Sequence, residues 1–225
     1  MNMELNTKIW QDGMIKPEIR AALLKLAARI LKDSDINISS VIDIIFTGSL
    51  AGYNYTNRSD LDLHIILDFD KLNISDEFVN DFLQNIKKIW NDSHDVKVIG
   101  YEVEIYFQDV SSDLIASSIF SLIKNQWLKR PKKNIKSEQY SRSKYDKIRS
   151  IIDNIQYLEP TSENILSVER LQDRIKRYRL AGLERFGEYS CENLTYKKLR
   201  NDGYIDKLYD LGDKLYDQYY SVTER

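Results

Sequence analysis

Between Val41 and Phe69 the chain reads VIDIIFTGSLAGYNYTNRSDLDLHIILDF, an apolar run closed by Gly48-Ser49, a polar excursion, and a second apolar run opened by Asp60-Leu61-Asp62. β-Branched stretches interrupted by Gly, Asn, Thr and Ser predict two strands joined by a short excursion. Alternate side chains of a strand share a face, so Asp60 and Asp62 project together with Cα atoms roughly 7 Å apart, while Leu61, Leu63 and Ile65 turn to a core. Two carboxylates on one face invite a divalent cation. Gly48 lets the backbone approach a ligand closely. Ser49 offers a hydroxyl to a phosphate oxygen where Leu50-Ala51-Gly52 opens a helical turn with free N–H groups.

A second acidic strand, Tyr101 to Phe107 (YEVEIYF), arrives about forty residues after the paired acids and carries Glu102 and Glu104 on one face. Together these segments resemble the DNA polymerase β-like nucleotidyltransferase superfamily, whose signature is a Gly-Ser at a strand end, an Asp-apolar-Asp on the next strand, and a third carboxylate on a later one. The resemblance covers residues 36 to 110. It implies a small mixed-sheet palm domain in which Asp60, Asp62 and Glu104 are the catalytic metal ligands and Gly48 and Ser49 hold phosphates. Glu104, flanked by apolar residues, is the better match to the third carboxylate, and Glu102 is the fallback. The phrases NDSHDVKVIGYEVEIYFQD, RLAGLERFGEYSCENL and LRNDGYIDKL are similar to nucleotidyltransferases carried by bacteriophages, which implies a place in the host cytoplasm.

The implied reaction moves a nucleoside monophosphate from an NTP to a hydroxyl of RNA, protein or a small molecule and releases pyrophosphate. Two Mg²⁺ ions about 3.5–4 Å apart would bridge the attacking and leaving oxygens, with Mn²⁺ as a substitute. Asp60 and Asp62 would hold the metal on the triphosphate, Asp62 bridging to the second, while Glu104 completes that second site and accepts the acceptor's proton. The alternative is a non-catalytic module that keeps the nucleotide and metal site as a sensor or interaction partner. A carboxylate at Glu104 argues for catalysis, since a degenerate binder has no need of it.

Helical spacing fills most of the remaining chain. Pro17 starts a helix whose apolar stripe, Ile19, Leu23, Leu26 and Ile30, packs behind the sheet. Ser75 reads as an N-cap for a helix with Phe78, Phe82, Ile86 and Ile89 on one face, making a strand-helix-strand crossover. Val96 to Ile99 and Tyr101 to Phe107 flank a turn or bulge at Gly100. After Asp109 helical spacing recurs through Leu114, Ile115, Ile119, Leu122 and Ile123, then Ile148, Ile151, Ile152 and Ile155, then Leu171, Ile175 and Tyr178, then Leu208, Leu211 and Leu215. Breaks fall near Arg130-Pro131, Glu159-Pro160, Gly187 and Gly203. The expected class is α+β: a catalytic domain over 1–110 including the N-terminal helix, and an all-helical domain over 111–225.

A net charge of -2 over 225 residues argues against a surface built wholly for nucleic acid. Two local basic features qualify that. Lys129, Arg130, Lys132 and Lys133 flank Pro131, and Arg170, Arg174 and Arg177 recur on one helical face; either suits triphosphate or a nucleic-acid acceptor. Glu169 and Asp173 interleave with the arginines, which favours a solvated, ion-paired face. The single cysteine, Cys191, leaves no internal disulfide, and His64 and His94 make no zinc set. His64 shares the face of the paired acids and reads as a structural histidine; His94 reads as a solvated loop residue. The 15 tyrosines read as helix-packing residues, and no nucleophile-elbow pattern supports a Ser-His-Asp triad. No apolar run approaches ~20 residues, so a cytoplasmic protein outside the membrane is expected.

Overall fold

In the computed structural model, which describes residues 2–72, 76–114, 116–133 and 139–221, the chain opens on a two-stranded hairpin. Its strands β1 (Trp10–Gln11) and β2 (Met14–Ile15) turn on Asp12 and Gly13, at φ 52° and 76°. That left-handed pair is what a tight hairpin turn requires. Helix α1 (Pro17–Asp33) follows with its proline in the first turn, and its predicted stripe is the buried one: Ile19, Leu23 and Ile30 are buried, and Leu26 packs at the margin.

Six strands make the main sheet: β3 (Val41–Thr47), β4 (Leu61–Leu67), β5 (Lys97–Val98), β6 (Tyr101–Asp109), β7 (Ile119–Ser121) and β8 (Gln126–Lys129). Their order is β5-β6-β4-β3-β7-β8, with every neighbouring pair antiparallel except β4 and β6. A parallel pair needs a crossover, and helix α2 (Asp76–Ser93) supplies it. Leu61, Leu63, Ile65 and Leu67 of β4 and Val103, Ile105 and Phe107 of β6 bury one face with the stripe of α1, as strand alternation predicts. The turn between β5 and β6 sits at Ile99 and Gly100, at φ 49° and 86°, where a hairpin turn is expected.

Several expectations differ from the structure in this unit, and two of the residues they rest on fall outside the described ones. The packed face of α2 is Val79, Leu83, Ile86 and Trp90, whereas Phe78, Phe82 and Ile89 are 59%, 38% and 66% exposed. The helix carries two apolar stripes, and the geometry of the crossover selects the second. Asn91 of α2 completes the fit by clamping the backbone of Ile105, accepting its N–H at 3.0 Å and donating to its carbonyl at 3.2 Å. Ser75 lies outside the described residues. The described residues 116–123 form no helix: Phe120 and Leu122 are buried, β7 pairs with β3, and β8 folds back on β7. What docks β7 is partly polar. Ser121 Oγ donates to Oδ1 of the buried Asp43 at 2.8 Å, and the Lys124 ammonium lies 3.7 Å from the same carboxylate. Ile115 lies outside the described residues. Because the sheet continues to Lys129, the first unit spans Met1–Lys133 instead of ending at 110, and the second spans Asn134–Arg225.

Described by itself, the second unit is helical among its described residues: α3 (Arg142–Ile155), α4 (Ser162–Phe186), α5 (Cys191–Asn201) and α6 (Tyr204–Tyr220). Ser141, Thr161 and Ser190 cap α3, α4 and α5 by accepting the backbone N–H three residues on, which satisfies donors that a helix start leaves open. Gly187 and Gly203, at φ 74° and 82°, end α4 and precede α6 where breaks are predicted. Ile148, Ile152, Ile155, Leu171, Ile175, Leu208 and Leu215 form its core with Val168, Leu199 and Ile205. The tyrosines divide: Tyr145 is buried with ring contacts to Tyr140 and Tyr204, whereas Tyr157 and Tyr220 are exposed. The class is therefore α+β, a mixed sheet followed by a helical region. Among the described residues no helix is long and apolar enough to cross a membrane.

The two stripes of α2 separate in a stability measurement. Leu83→Ala should cost about 2–5 kcal/mol by urea denaturation. Phe78→Ser should stay within about 0.5 kcal/mol of the parent. The reverse order would return the packed face to the Phe78 stripe.

Candidate active site

The antiparallel register of β3 and β4 sets Thr47 opposite Asp62, and Gly48 follows at the strand end with φ 76° and ψ -167°. A Cβ on Gly48 would fall 1.6 Å from Oδ2 and 2.6 Å from Cγ of Asp62. The close approach that glycine permits is therefore made, in this structure, by the Asp62 carboxylate. No side chain fits between them, and the backbone conformation independently selects glycine.

Ser49 opens a single 3₁₀ turn, Ser49–Ala51, as the helical reading of Leu50-Ala51-Gly52 anticipates. Its hydroxyl donates to Ser59 Oγ at 2.7 Å, and Ser59 Oγ accepts the Thr56 N–H at 2.9 Å, so the excursion is tied across its own base. The turn is also anchored from outside. Trp10 Nε1 donates to the carbonyl of Leu50 at 2.8 Å, with its ring stacked on Trp127 at 4.5 Å and Phe46 at 5.7 Å. These supports escaped the sequence reading, although Asp12-Gly13 is a hairpin signal that marks where Trp10 would be fixed.

The parallel register of β4 and β6 pairs Asp62 with Glu104 and His64 with Tyr106. Adjacent strands lie roughly 4.8 Å apart, so Asp62 and Glu104 are cross-strand neighbours on the face opposite the core. Asp60 stands just ahead of β4, half-buried. Glu102 shares strand parity with Glu104 but faces β5, where it lies 3.5 Å from Lys97 with its side chain 62% exposed. Of the two glutamates, Glu104 is the one set opposite Asp62.

Tyr106 was not foreseen and is the most connected side chain of this face. Burial, then the negative charges of Asp62 and Glu104, a hydrogen bond to Glu104 and the charge of Asp60, hold its phenol pKa far above the ordinary value. It stays protonated. Lys87 of α2 sits 3.8 Å from the Tyr106 ring centroid, and the His64 ring stacks on Tyr106 at 4.6 Å. Burial, opposed by a hydrogen bond with Gln108 and reinforced by the charge of Lys87, lowers the His64 pKa to about 4. His64 is therefore neutral near pH 7, as a structural histidine would be, with a buried Nδ1 that has no hydrogen-bond partner.

Among the described residues, no three His, Cys, Asp or Glu side chains converge closely enough to hold an ion as they are oriented. The donor chemistry nevertheless fits a hard divalent cation: carboxylate oxygens at facing register positions, with no thiolate present.

The basic features divide between the units. The segment Lys129 to Lys133 follows β8 instead of a helix: Lys129 donates to the Ala116 carbonyl at 2.6 Å, and the Lys133 ammonium stands 5.4 Å from the ring centroid of Tyr53. Arg130 and Lys132 are exposed. Arg170, Arg174 and Arg177 are exposed on α4 of the second unit, and no ion pair links them to the interleaved Glu169 or Asp173. His94 accepts or donates at the Trp90 carbonyl, 3.0 Å away, with its ring stacked on Trp90 at the exposed end of α2.

No protein-family model matches the chain, and no curated protein matches it. Among solved structures, the STING-associated CdnE c-di-GMP synthase from Capnocytophaga granulosa aligns over 92% of this chain and 83% of its own, at 12% identity and a TM-score of 0.25. That likeness carries no argument about fold or function.

Two outcomes check this geometry. Gly48→Ala should be strongly destabilising, and in an Asp62→Gly background should cost measurably less, because the carboxylate it strikes is gone; equal costs would dissociate the two residues. For His64, the unfolded chain binds the proton more tightly than the folded one between pH 6.5 and about 4. Stability is thus fully present above that window and lost as pH falls through it. In metal-free buffer, His64→Gln should flatten the loss seen by urea denaturation between about pH 7 and about pH 5, and an unaltered slope would contradict the assignment.

Proposed function

We propose that the chain is a divalent-metal-dependent nucleotidyltransferase that moves NMP from an NTP to an acceptor hydroxyl and releases pyrophosphate. The observation that carries the reading is the alignment of Asp62 with Glu104 across β4 and β6, beside the Gly48-Ser49 turn that closes on Asp62. Asp60 and Asp62 would hold one cation, and Asp62 with Glu104 a second. When bound, Mg²⁺ or Mn²⁺ supplies positive charge to the oxygens that gain negative charge during the transfer.

The chain's own residues have separable tasks in this reading. The Gly48 backbone and the Ser49 hydroxyl grip the outgoing phosphates. Glu104 takes the proton of the acceptor hydroxyl as that oxygen bonds the α-phosphorus, and the bond from the α-phosphorus to the bridging oxygen breaks, its electron pair leaving with pyrophosphate. Tyr106, kept protonated by burial and by the surrounding acids, would donate to Glu104 and fix its orientation. The stack of His64 on Tyr106 keeps that phenol from swinging away.

The test uses each NTP labelled at the α- or the γ-phosphate, with a mixture of RNA, protein and metabolites as acceptors. Label from the α-position should become acceptor-bound only when Mg²⁺ or Mn²⁺ is present, while γ-label leaves in pyrophosphate. Asp62→Asn should abolish transfer. Glu104→Gln should lose at least about a hundredfold in turnover with nucleotide affinity within about tenfold, and Glu102→Gln should remain near the parent. Metal-dependent NTP binding without transfer, indifferent to Glu104→Gln, would favour the non-catalytic sensor. Absence of NTP binding would overturn both readings.

A further inference from the structure

Within the helical unit, α3 and α4 enclose a groove of about 290 Å³. Ligand pockets run roughly 300–1,000 Å³, so this one takes a single ring-sized group and not an extended small molecule. Its floor is aliphatic, from Ile155, Val168 and Leu171, while Asn154 and Ser167 place an amide and a hydroxyl at its wall. Ser167 donates to the Glu163 carbonyl at 2.9 Å, which leaves its oxygen able to accept. Arg170 and Arg174 also line it, and among the described residues no carboxylate does.

Charge sorts the ligands that such a groove can hold. Helices α3 and α4 carry ten basic and six acidic side chains, a net +4 in a chain whose net charge is -2. The arginines also outrun the groove. Arg177 continues the row of Arg170 and Arg174 but does not line the cavity, and at 1.5 Å per helical residue the row spans about 10 Å. A small amphiphilic anion would use the two lining arginines and leave the third without purpose. A polyanion with flat rings attached at intervals would use the whole arrangement.

We propose that this groove binds single-stranded nucleic acid, seating one base on the aliphatic floor with its edge toward Asn154 and Ser167, and neighbouring phosphates along Arg170, Arg174 and Arg177. Base packing is tolerant of sequence, and guanidinium contacts to successive phosphates supply affinity that falls with salt. The site goes beyond nucleotidyl transfer and names the acceptor class that such an enzyme would use. Binding is measured without NTP or divalent metal, so a failed transfer assay and a failed binding assay remain distinguishable.

The experiment is fluorescence anisotropy of the full chain with short labelled single-stranded RNA and DNA of mixed sequence, over a salt series. Sodium palmitate and vesicles of phosphatidylcholine with phosphatidylserine serve as competitors. Arg170→Ala/Arg174→Ala should weaken binding at least about tenfold and reduce the slope of log K against log salt by about 1.4, the single-strand value for two charges. Ser167→Trp, at an exposed position, should fill the groove and weaken binding with the salt slope unchanged. Circular dichroism and melting of both variants establish that they fold. Salt-insensitive binding, binding indifferent to the folded variants, or no binding of either nucleic acid would overturn the proposal. So would displacement of the oligonucleotide by palmitate or vesicles, because it would assign the groove to a lipid.

Discussion

The parallel pairing of β4 with β6 imposes the constraint on which the rest of this structure depends, because its register stands Asp62 beside Glu104 on one face. Like charges at facing positions of a sheet are unfavourable, and a one-residue slip of either strand would turn its acid into the core. The apolar alternation excludes odd slips: Leu61, Leu63 and Ile65 against Val103, Ile105 and Phe107 bury one face of both strands together. Core packing thus determines the spacing of the acids, and the site face bears the resulting repulsion. The Tyr106 phenol, held protonated, adds no further charge to that face. A cation would relieve the repulsion, which links the sheet's geometry to the proposed chemistry.

Surrounding elements keep that face from relaxing. Asn91 stands in for a missing strand partner at Ile105, holding β6 where the short β5 has ended. On the other side of the sheet, Trp10, Trp127 and Phe120 form an aromatic cluster, with Trp10 and Trp127 stacked and Phe120 edge-on to both. That cluster fixes the Leu50 carbonyl and hence the turn after Gly48. The candidate site therefore sits on regular strands with one short loop, an arrangement that limits how far its groups can drift.

Much of this was legible in the sequence where a residue's local environment decides its place. Gly48 and the Asp60-Leu61-Asp62 triplet mark a strand end and a strand start, and the stripes of α1, α3, α4 and α6 face their cores, with Leu26, Ile151, Tyr178 and Leu211 partly buried at the margins. The choice between Glu102 and Glu104 was not fully legible, because strand parity is shared and only cross-strand register separates them. The face of α2 was ambiguous for a related reason: Ile86 and two overlapping apolar stripes satisfy the same period, and only the crossover decides between them. Residues 114–123 imitate a helix because a three-residue strand is too short to display alternation. The buried partnership of Ser121 with Asp43 lies in residue types that ordinarily signal surface. Tyr106 carries no local signal, since an aromatic residue in an apolar strand looks like core.

The central claim is that the aligned acids form a divalent-cation site. Its most direct test is a crystal of the protein grown with Mn²⁺ and a non-hydrolysable NTP, measured at the manganese absorption edge. Anomalous peaks against the Asp60, Asp62 and Glu104 carboxylates, with the triphosphate against Gly48 and Ser49, are the predicted result. Manganese bound elsewhere, or a nucleotide bound away from these acids, would contradict the account.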